Sequence, residues 1–483
     1  MKMLREARAS IELYEDDDSE FNPLLSPAPI SKDELRHVFA LGIPLVVVHF
    51  LEFVPNTLNG MLLGHLSTAA DETQVYLAAG GLSNLYYTVF AYGLVFGVCT
   101  AMDALCAQAY GKGMKDDIGY VLQTAVMCAL CVFVPLALML GFAGTFLEWM
   151  GQSPEIARVA QSLTRWMILE LPWSFAYEIL KRVLQGQNIV LPIVFAIGFA
   201  NVVNVATSYG LMYHTSMGYM GSAISFALVF ATAALALVPA VRKLPHVPFQ
   251  ERWAMSEVLH RLPYFISLSL NGWGMFVFEF VAVALTSFLA GGLPHANVAM
   301  SANNIYMGFR TLFSMVFLGI GMAASIRVGN ALGGNLPCRA KIAAWQTVGL
   351  AVTWALLTML AMCVVGPYYT TSYTRDPAIY EVAKDLFWIT APFQIPMGIW
   401  ATIQGVFRGS GKPDKGIWVN LVAFLVVGVP LGRFLAVSCG LGIVGLWLGV
   451  CTGFSMCAVY GLVWLYHVEW NDLVLEVDAK LLA

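Results

Sequence analysis

A stripe of polar side chains runs through an otherwise apolar stretch, VVVHFLEFVPNTLNGMLLGH, at residues 46–65. The stripe consists of His49, Glu52, Asn56 and Asn59. Spacings of three, four and three residues place these side chains on one face of a helix. His49 and Glu52 are close enough to share a proton, and Pro55 frees a backbone carbonyl, as happens where membrane helices bend around a cavity. The pattern predicts either the lining of a water-accessible cleft or a polar contact between helices.

A second carboxyl group, Glu279, lies in the apolar segment GMFVFEFVAVALTSFLAGG. Neither of its neighbours in sequence neutralises it, so its partner must be a proton, a bound molecule or a side chain on another helix. Burial in an apolar medium favours the neutral form of a carboxyl group, which is the property that a proton carrier needs. Glu279 is therefore predicted to carry a proton. The alternative is an acid held by a structural hydrogen bond.

The composition indicates a protein that lies almost entirely in a membrane. Of the 483 residues 59% are hydrophobic and 12% are charged, about half the charged share of a soluble domain. Twelve apolar stretches are each long enough to cross a bilayer as a helix. They lie near 38–62, 77–101, 120–145, 157–178, 190–213, 220–241, 262–289, 298–324, 343–366, 386–406, 417–437 and 443–467. The predicted fold class is an all-α integral membrane protein with twelve transmembrane helices.

Basic residues indicate the orientation of these helices. Sixteen Lys and Arg residues fall on the side that includes the N-terminus and about five on the other, which predicts that both termini are cytoplasmic. The basic face orients the protein in the bilayer, and no nucleic-acid partner is expected. An acidic segment precedes the first span. Within it, the spacing of residues from Glu20 to Leu25 resembles a lysosomal or vacuolar sorting signal. The predicted location is the plasma membrane or a vacuolar or lysosomal membrane.

The two halves of the chain resemble each other at an offset of 222 to 224 residues. GVCTAMDALCAQAYGKG from Gly97 aligns with GIGMAASIRVGNALGGN from Gly319. Six spans in each half predict two six-helix bundles related by a pseudo-two-fold axis along the membrane normal, with a cleft between them. The predicted regions are a disordered acidic cytoplasmic tail (1–36), an N-terminal lobe (37–241), a cytoplasmic linker with a short surface helix (242–262), a C-terminal lobe (263–467) and a cytoplasmic tail (468–483).

Motifs at the ends of these spans resemble the multidrug and toxic compound extrusion (MATE) family in its eukaryotic form. They are GHLS after the first span, AMDALCAQAYG at 101–111, VLQGQNIVLPIV at 183–194, AASIRVGNALGG at 323–334 and GVFRGSGKP at 405–413. The resemblance implies a secondary antiporter that works by alternating access. It would export small organic solutes, xenobiotics or metabolites that are typically cationic, in exchange for protons, or for sodium in some members.

The resemblance also bears on individual residues. Counted back from FLAGG, Glu279 falls where the family has its first span-7 glutamate, although an alignment anchored on Pro263 puts Asn271 there. His49 falls where the family usually has glutamine, and Asn59 where some bacterial members have an acid. The predicted proton-coupling or substrate residues are Glu279, Glu52, His49, Asn56 and Asn59. The cleft or gate candidates are Asp103, Gln108, Gln185, Asn201, Asn204 and Gln404.

This sequence also departs from the family pattern. Acids that many eukaryotic members have in spans 8 and 10 are missing here, since those positions fall near Ala299 and Met397. Arg310 lies in the middle of span 8, where an unpaired charge is costly, and Glu279 is one conceivable partner. A cleft with fewer negative charges binds organic cations less well. The sequence is therefore also compatible with a neutral, zwitterionic or anionic solute.

Two other functions are alternatives to export: a lipid-linked sugar flippase of the same superfamily, or a membrane-embedded enzyme. The eight histidines are scattered and none forms an HxxxD motif, so no enzyme activity is predicted. No phosphate-binding GxxxxGK[ST] motif is present, which leaves an ion gradient as the energy source. Cys128 and Cys131 form a CxxC on an apolar helix, where inert thiols are expected. We expect a monomer in the lipid bilayer with no cofactor and no metal site.

Overall fold

The computed structural model of the protein describes residues 27–66, 70–114, 116–244 and 253–481. Nearly all of these residues are helical, and the described ranges contain no β-strand. Eleven helical segments in them are long and apolar enough to cross a membrane. The predicted all-α membrane fold is confirmed.

The helices are numbered α1 to α18 in chain order. In the first half they are α1 (Pro27–Gly64), α2 (Ala70–Tyr86), α3 (Gly93–Gly111), α4 (Asp117–Gly141), α5 (Ala143–Trp149), α6 (Pro154–Met167), α7 (Leu171–Gly186), α8 (Leu191–Tyr213) and α9 (Met220–Arg242). In the second half they are α10 (Met255–Ala290), α11 (Ala296–Gly333), α12 (Pro337–Tyr373), α13 (Pro377–Thr390), α14 (Gln394–Gly409), α15 (Asp414–Asn420), α16 (Val429–Val437), α17 (Gly442–His467) and α18 (Trp470–Leu481). Short π or 3₁₀ segments join α2 to α3 (Tyr87–Tyr92), α13 to α14 (Ala391–Phe393) and α15 to α16 (Leu421–Gly428).

The fourth predicted span, 157–178, is the one that differs from a single long helix. The chain forms α6 and α7 there, separated by a short turn, and neither helix alone has the length of a span. Glu178, Lys181 and Arg182 lie on α7 and are almost fully buried. Polar groups that pair inside the protein make α7 less apolar than a helix that faces lipid.

The chain divides into two compact units. The first unit comprises Val47–Met102 and Lys115–Val277, and the second comprises the described residues up to Val46 together with Asp103–Met114 and those from Phe278 onward. In the first unit α9 packs against α7 and α8. In the second unit α11 packs against α12 and α14, and α17 packs against α14. The lobe boundaries at 37–241 and 263–467 stay predictions.

Two repeat-related glycines make a reciprocal contact inside the second unit. A Cβ atom at Gly111 would lie 2.0 Å from the carbonyl oxygen of Asn330, and one at Gly333 would lie 2.0 Å from that of Gln108. The repeat aligns Gln108 with Asn330 and Gly111 with Gly333. Gly111 of α3 therefore contacts Asn330 of α11 in the same way as Gly333 of α11 contacts Gln108 of α3. Such reciprocal contacts are the pattern of a local two-fold axis.

We expect Gly333→Ala to destabilise the protein, because the added methyl group would overlap a backbone carbonyl that cannot rotate away. Overpacking of this kind typically costs about 1–3 kcal/mol or more. Gly349→Ala is the control, because its Cβ would meet no atom within 4 Å and alanine favours a helix by about 0.5–1 kcal/mol. The measurement is the melting temperature in detergent. Equal melting temperatures for the two variants would contradict the close crossing.

The first helix begins inside the region predicted to be a disordered tail. α1 starts at Pro27, whereas the predicted tail extends to residue 36. Glu34 is 1% exposed and accepts two hydrogen bonds from Arg327, at 2.6 and 2.8 Å, while Gln346 donates to Ser31. These contacts hold residues 31–36 in the helix. Residues 1–26, with the predicted sorting signal, lie outside the described residues.

The predicted linker and C-terminal tail also contain helix. Residues 245–252 of the linker lie outside the described residues. From Met255 the chain is in α10, so the last residues of the predicted linker form the first turns of a long membrane helix. The predicted tail forms α18, which buries Trp470 and Val474 and packs against α11 and α12. Its acidic residues bind two basic ones: Asp478 accepts a 2.9 Å hydrogen bond from Lys112, and Glu476 pairs with Lys412.

Candidate functional site

Glu52 lies in the first unit and is held by three side chains. One carboxylate oxygen, Oε1, accepts hydrogen bonds from the Tyr177 hydroxyl and from Lys181 Nζ, both at 2.7 Å. The other oxygen, Oε2, lies 3.3 Å from His49 Nδ1. The predicted proximity of His49 and Glu52 is present, but the principal partner of Glu52 is a lysine 129 residues further along the chain.

Lys181 joins Glu52 to a second carboxylate on its own helix. Its Nζ donates to Glu178 Oε1 at 2.6 Å, and Arg182 Nη2 lies 3.4 Å from Glu178 Oε2. Glu178 is thus paired with Lys181 and Arg182 within the protein interior, where the three side chains are 1–3% exposed. Two carboxylates and two cations leave the charged network neutral, so the loss of any one member leaves a buried net charge.

The carbonyl that Pro55 frees has a specific partner. Proline lacks an N–H, so the oxygen of Leu51, four residues earlier, loses its helical hydrogen bond. Asn201 Nδ2 on α8 donates to this oxygen at 2.9 Å. The predicted cleft residue Asn201 therefore replaces the hydrogen bond that Pro55 removes from α1. In the sequence, only the proline indicated that a carbonyl oxygen of this helix needed another donor.

Asn59 lies in a cluster of small polar side chains that joins three helices. Its amide donates to Ser225 Oγ at 3.1 Å on α9, and its carbonyl oxygen accepts from Ser208 Oγ at 2.7 Å on α8. Ser208 Oγ also lies 2.9 Å from Asn204 Oδ1. Asn59, Asn204 and Ser208 are almost fully buried. These contacts favour the second interpretation of the polar stripe at this end, a polar contact between helices.

Asn56 and Asn59 also line a small cavity in the first unit. Asn84 Nδ2 donates to Asn56 Oδ1 at 2.9 Å across it, and its volume is about 180 Å³. Its other walls are mostly apolar. Cavities that bind drug-sized molecules are typically about 300–1,000 Å³, so this one has room for water or a small group only.

Glu279 lies in the second unit and has a different environment from Glu52. Gln404 Nε2 on α14 donates to Glu279 Oε2 at 2.6 Å. Glu279 is half-buried, and within the described ranges no Lys, Arg or His nitrogen lies within 4 Å of its carboxyl group. The structure thus brings together two residues that the sequence had singled out separately, 125 positions apart.

Arg310 does not form an ion pair with Glu279. Its guanidinium group lies over the rings of Trp447 and Phe454 on α17, at 5.3 and 5.8 Å from their centroids. Neither ring was singled out from the sequence, because an aromatic residue in an apolar helix has no distinguishing signal. The sequence indicated only that the charge of Arg310 needs a partner inside the membrane.

Two of the remaining gate candidates, Asp103 and Gln108, join helices, and the third, Gln185, binds a residue of its own helix. In the second unit Arg408 Nε lies 3.5 Å from Asp103 Oδ2, and Gln108 Nε2 donates to the carbonyl oxygen of Gly409 at 2.9 Å. Both contacts connect α3 with α14. In the first unit Gln185 Oε1 accepts from Arg182 Nη1 at 2.7 Å, beside the Glu178 pair. A role in opening or closing a gate stays a prediction for these residues.

The sequence profile of the MatE family matches this chain at residues 44–210 and 274–434, one stretch in each half. The chain belongs to the MatE family. The matched stretches include α1 from Pro44 with Glu52, α7 with Lys181, and the parts of α10, α11 and α14 that carry Glu279, Arg310 and Gln404.

Named relatives and solved structures agree with this membership. The chain is 28% identical over 428 residues to Protein DETOXIFICATION 17 of Arabidopsis thaliana, covering 88% of each chain. It is 30% identical over 441 residues to multidrug and toxin extrusion protein 2 of Oryctolagus cuniculus, covering 91% of this chain and 72% of that one. The crystal structure of the eukaryotic MATE transporter AtDTX14 superposes with a TM-score of 0.86 at 21% identity, over 93% of this chain and 99% of that one.

Membership of the MatE family establishes the general activity. The protein is a multi-pass membrane transporter, and transporters of this family move small organic substrates across membranes. The ion that drives transport, the substrate and the roles of individual side chains are questions of mechanism.

Proposed function

We propose that this MatE transporter exports small organic solutes in exchange for protons by alternating access, with Glu279 as the group that exchanges its proton for the solute. The observation that carries the proposal is the environment of Glu279. It is a half-buried acid in a membrane helix, bound by the neutral amide of Gln404 and by no cation within 4 Å in the described ranges.

A neutral amide suits a group that changes its protonation state. The Gln404 side chain offers an N–H to the carboxylate and, after a half-turn of its amide, a carbonyl oxygen to the protonated acid. The hydrogen bond can therefore persist in both states. A lysine in the same position would stabilise the carboxylate alone and would keep the proton away.

Glu52 has the environment of a structural carboxylate. Lys181 and Tyr177 both donate to it, and protonation would leave the lysine charge only partly compensated in the interior of the first unit. Losing one partner of a buried ion pair typically destabilises a protein by about 3–5 kcal/mol. We assign Glu52 and His49 to the maintenance of the first unit, and Glu279 to coupling.

A proton gradient is sufficient for export of this kind. A membrane potential supplies about 2.3 kcal/mol per charge per 100 mV, and a pH difference supplies about 1.4 kcal/mol per unit. Together these support roughly a few hundredfold accumulation for one proton exchanged, since about 1.4 kcal/mol corresponds to tenfold. We also propose that the transporter is a monomer in a plasma or vacuolar membrane, with both termini on the cytoplasmic side.

The test is transport into vesicles that contain the purified protein. An imposed pH gradient, acidic inside, is expected to drive accumulation of a fluorescent solute, and a protonophore is expected to abolish it. The matched experiment replaces the pH gradient with an equal sodium gradient at constant pH. Accumulation that follows the sodium gradient and is insensitive to the protonophore would contradict proton exchange.

A further inference from the structure

A groove on the surface of the first unit shares no lining residue with the candidate site. It lies between α8 and α9, beside the turn that joins α7 to α8, and its volume is about 530 Å³. Cavities that bind drug-sized molecules are typically about 300–1,000 Å³, so the groove is large enough for a substantial part of an organic ligand. Of the described residues that line it, one is charged, Lys243, and the others are apolar.

The shape of the groove comes from small side chains beside large ones. α9 contributes Ala236 and Ala240 to its wall, whereas α8 contributes Phe195 and Phe199, which are 73% and 60% exposed. From Ala236 to Lys243 the groove follows seven residues of the chain, roughly 10 Å at the rise of an α-helix. A long apolar channel bordered by exposed phenyl rings fits a flexible hydrocarbon chain, because such a chain covers apolar surface without any need for hydrogen bonds.

The charge of the groove is positive and lies at one end. Lys243 directly follows the last residue of α9 and is exposed, and neither α8 nor α9 contains an acidic residue. In the parts of the chain that the structure describes, no carboxylate oxygen lies within 4 Å of the Lys243 ammonium group. A lysine at the end of a membrane helix places its apolar stem along the helix and its ammonium group at the level of the lipid head groups.

We propose that this groove binds an anionic phospholipid, with one acyl chain along Phe195 and Phe199 and the phosphate at Lys243. A zwitterionic phospholipid has the same acyl chains, but the cation of its own head group competes with the lysine for the phosphate. In the orientation proposed above, this end of α9 faces the cytoplasm, and the cytoplasmic leaflet is the one that contains anionic lipids. The lipid site is independent of the transported solute and of the ion that drives transport.

The test is lipid binding to the delipidated wild-type protein in detergent, measured by native mass spectrometry. The probes are dioleoyl-phosphatidylglycerol and dioleoyl-phosphatidylcholine, which have the same acyl chains and differ in the charge of the head group. We expect the first phosphatidylglycerol to bind about fivefold more tightly, the factor that one lysine contributes near a membrane surface. Equal affinities for the two lipids would overturn the proposal, and this comparison needs no variant. Equally tight binding of glycerol phosphate, which has no acyl chain, would also overturn it.

The variant Lys243→Gln assigns the preference to this groove. We expect its affinity for phosphatidylglycerol to fall about fivefold, to the level of phosphatidylcholine, while its affinity for phosphatidylcholine stays the same. Lys341→Gln is the matched control, because Lys341 is an exposed lysine near the start of α12 that does not line the groove, and this variant should keep the wild-type preference. A preference for phosphatidylglycerol that persists in Lys243→Gln would overturn the proposal.

The variant Ala236→Trp tests the apolar part of the groove while Lys243 stays in place. Its indole ring would occupy the channel, so we expect the tight binding of phosphatidylglycerol to be lost. Leu235→Trp is the control, because Leu235 is 59% exposed on the same helix and does not line the groove. Wild-type binding by Ala236→Trp would overturn the proposal. A dimer that Ala236→Trp dissociates, with lipid binding unchanged, would assign the groove to a second copy of the chain and overturn it as well.

Discussion

Glu279→Gln is expected to abolish proton-driven accumulation while the protein stays folded. Glutamine has the same shape as glutamic acid and can still form a hydrogen bond with Gln404, so the contact between α10 and α14 persists. It cannot release or bind a proton. The measurement is accumulation in vesicles under an imposed pH gradient, and the expected result is a signal at the level of vesicles without protein.

Two controls make the loss specific to Glu279. Glu155→Gln changes an exposed glutamate at the start of α6 and should transport like the wild type. Exchange of labelled solute across the Glu279→Gln vesicles without any gradient shows whether the variant still alternates between its two states. Concentrative transport by Glu279→Gln at the wild-type rate would remove this residue from the coupling mechanism.

Lys181→Met is expected to cause the largest loss of stability. Lys181 is 1% exposed and lies between the carboxylates of Glu52 and Glu178, so its removal leaves the buried Glu178 and the half-buried Glu52 with Arg182 as the remaining cation. Breaking a buried ion pair from one side typically costs about 3–5 kcal/mol. The readout is the melting temperature and the yield of monodisperse protein in detergent.

The charge count of the network gives this prediction an internal check. The double variant Glu52→Gln/Lys181→Met is neutral again, so we expect it to be more stable than Lys181→Met alone, and Glu52→Gln alone to be less stable than the wild type. This non-additivity is the signature of direct interaction in a double-mutant cycle. Additive changes in melting temperature would contradict the network.

Lys384→Met is the matched control for Lys181→Met. Lys384 pairs at 3.0 Å with Glu381, three residues earlier, as Lys181 pairs with Glu178, but Lys384 is 40% exposed. Exposed ion pairs contribute little to stability, so its melting temperature should stay close to that of the wild type. Equal losses for Lys181→Met and Lys384→Met would mean that burial of the network is not what makes it important.

The sequence predicts the fold well because the bilayer restricts what a spanning segment can be. A helix that crosses lipid must be long and apolar, and eleven of the twelve predicted spans meet that condition in the structure. The span at 157–178 differs because the charges of α7, which begins within it, are satisfied inside the protein: Lys181 binds both Glu178 of its own helix and Glu52 of α1. The ion pair with Glu52 joins residues that are distant in sequence, so the hydropathy of the segment alone does not show that its charges are neutralised.

The candidate site is predicted only in part, for the same reason. Spacing within one helix correctly placed His49 beside Glu52, and a proline correctly pointed to a free carbonyl in α1. The partners that define the chemistry come from other helices: Lys181 for Glu52, Gln404 for Glu279 and Trp447 for Arg310. Helix packing determines those pairings, and a single sequence contains no direct signal for it.

Release of protons when the solute binds tests the central claim most directly. Purified protein in detergent and weak buffer, with a pH indicator, is mixed with a transported solute at a pH where the wild type accumulates it. We expect wild-type protein to release protons as the solute displaces them from Glu279, and Glu279→Gln to bind the solute without releasing any. Equal proton release by the two proteins, or none by the wild type, would contradict exchange at this carboxyl group.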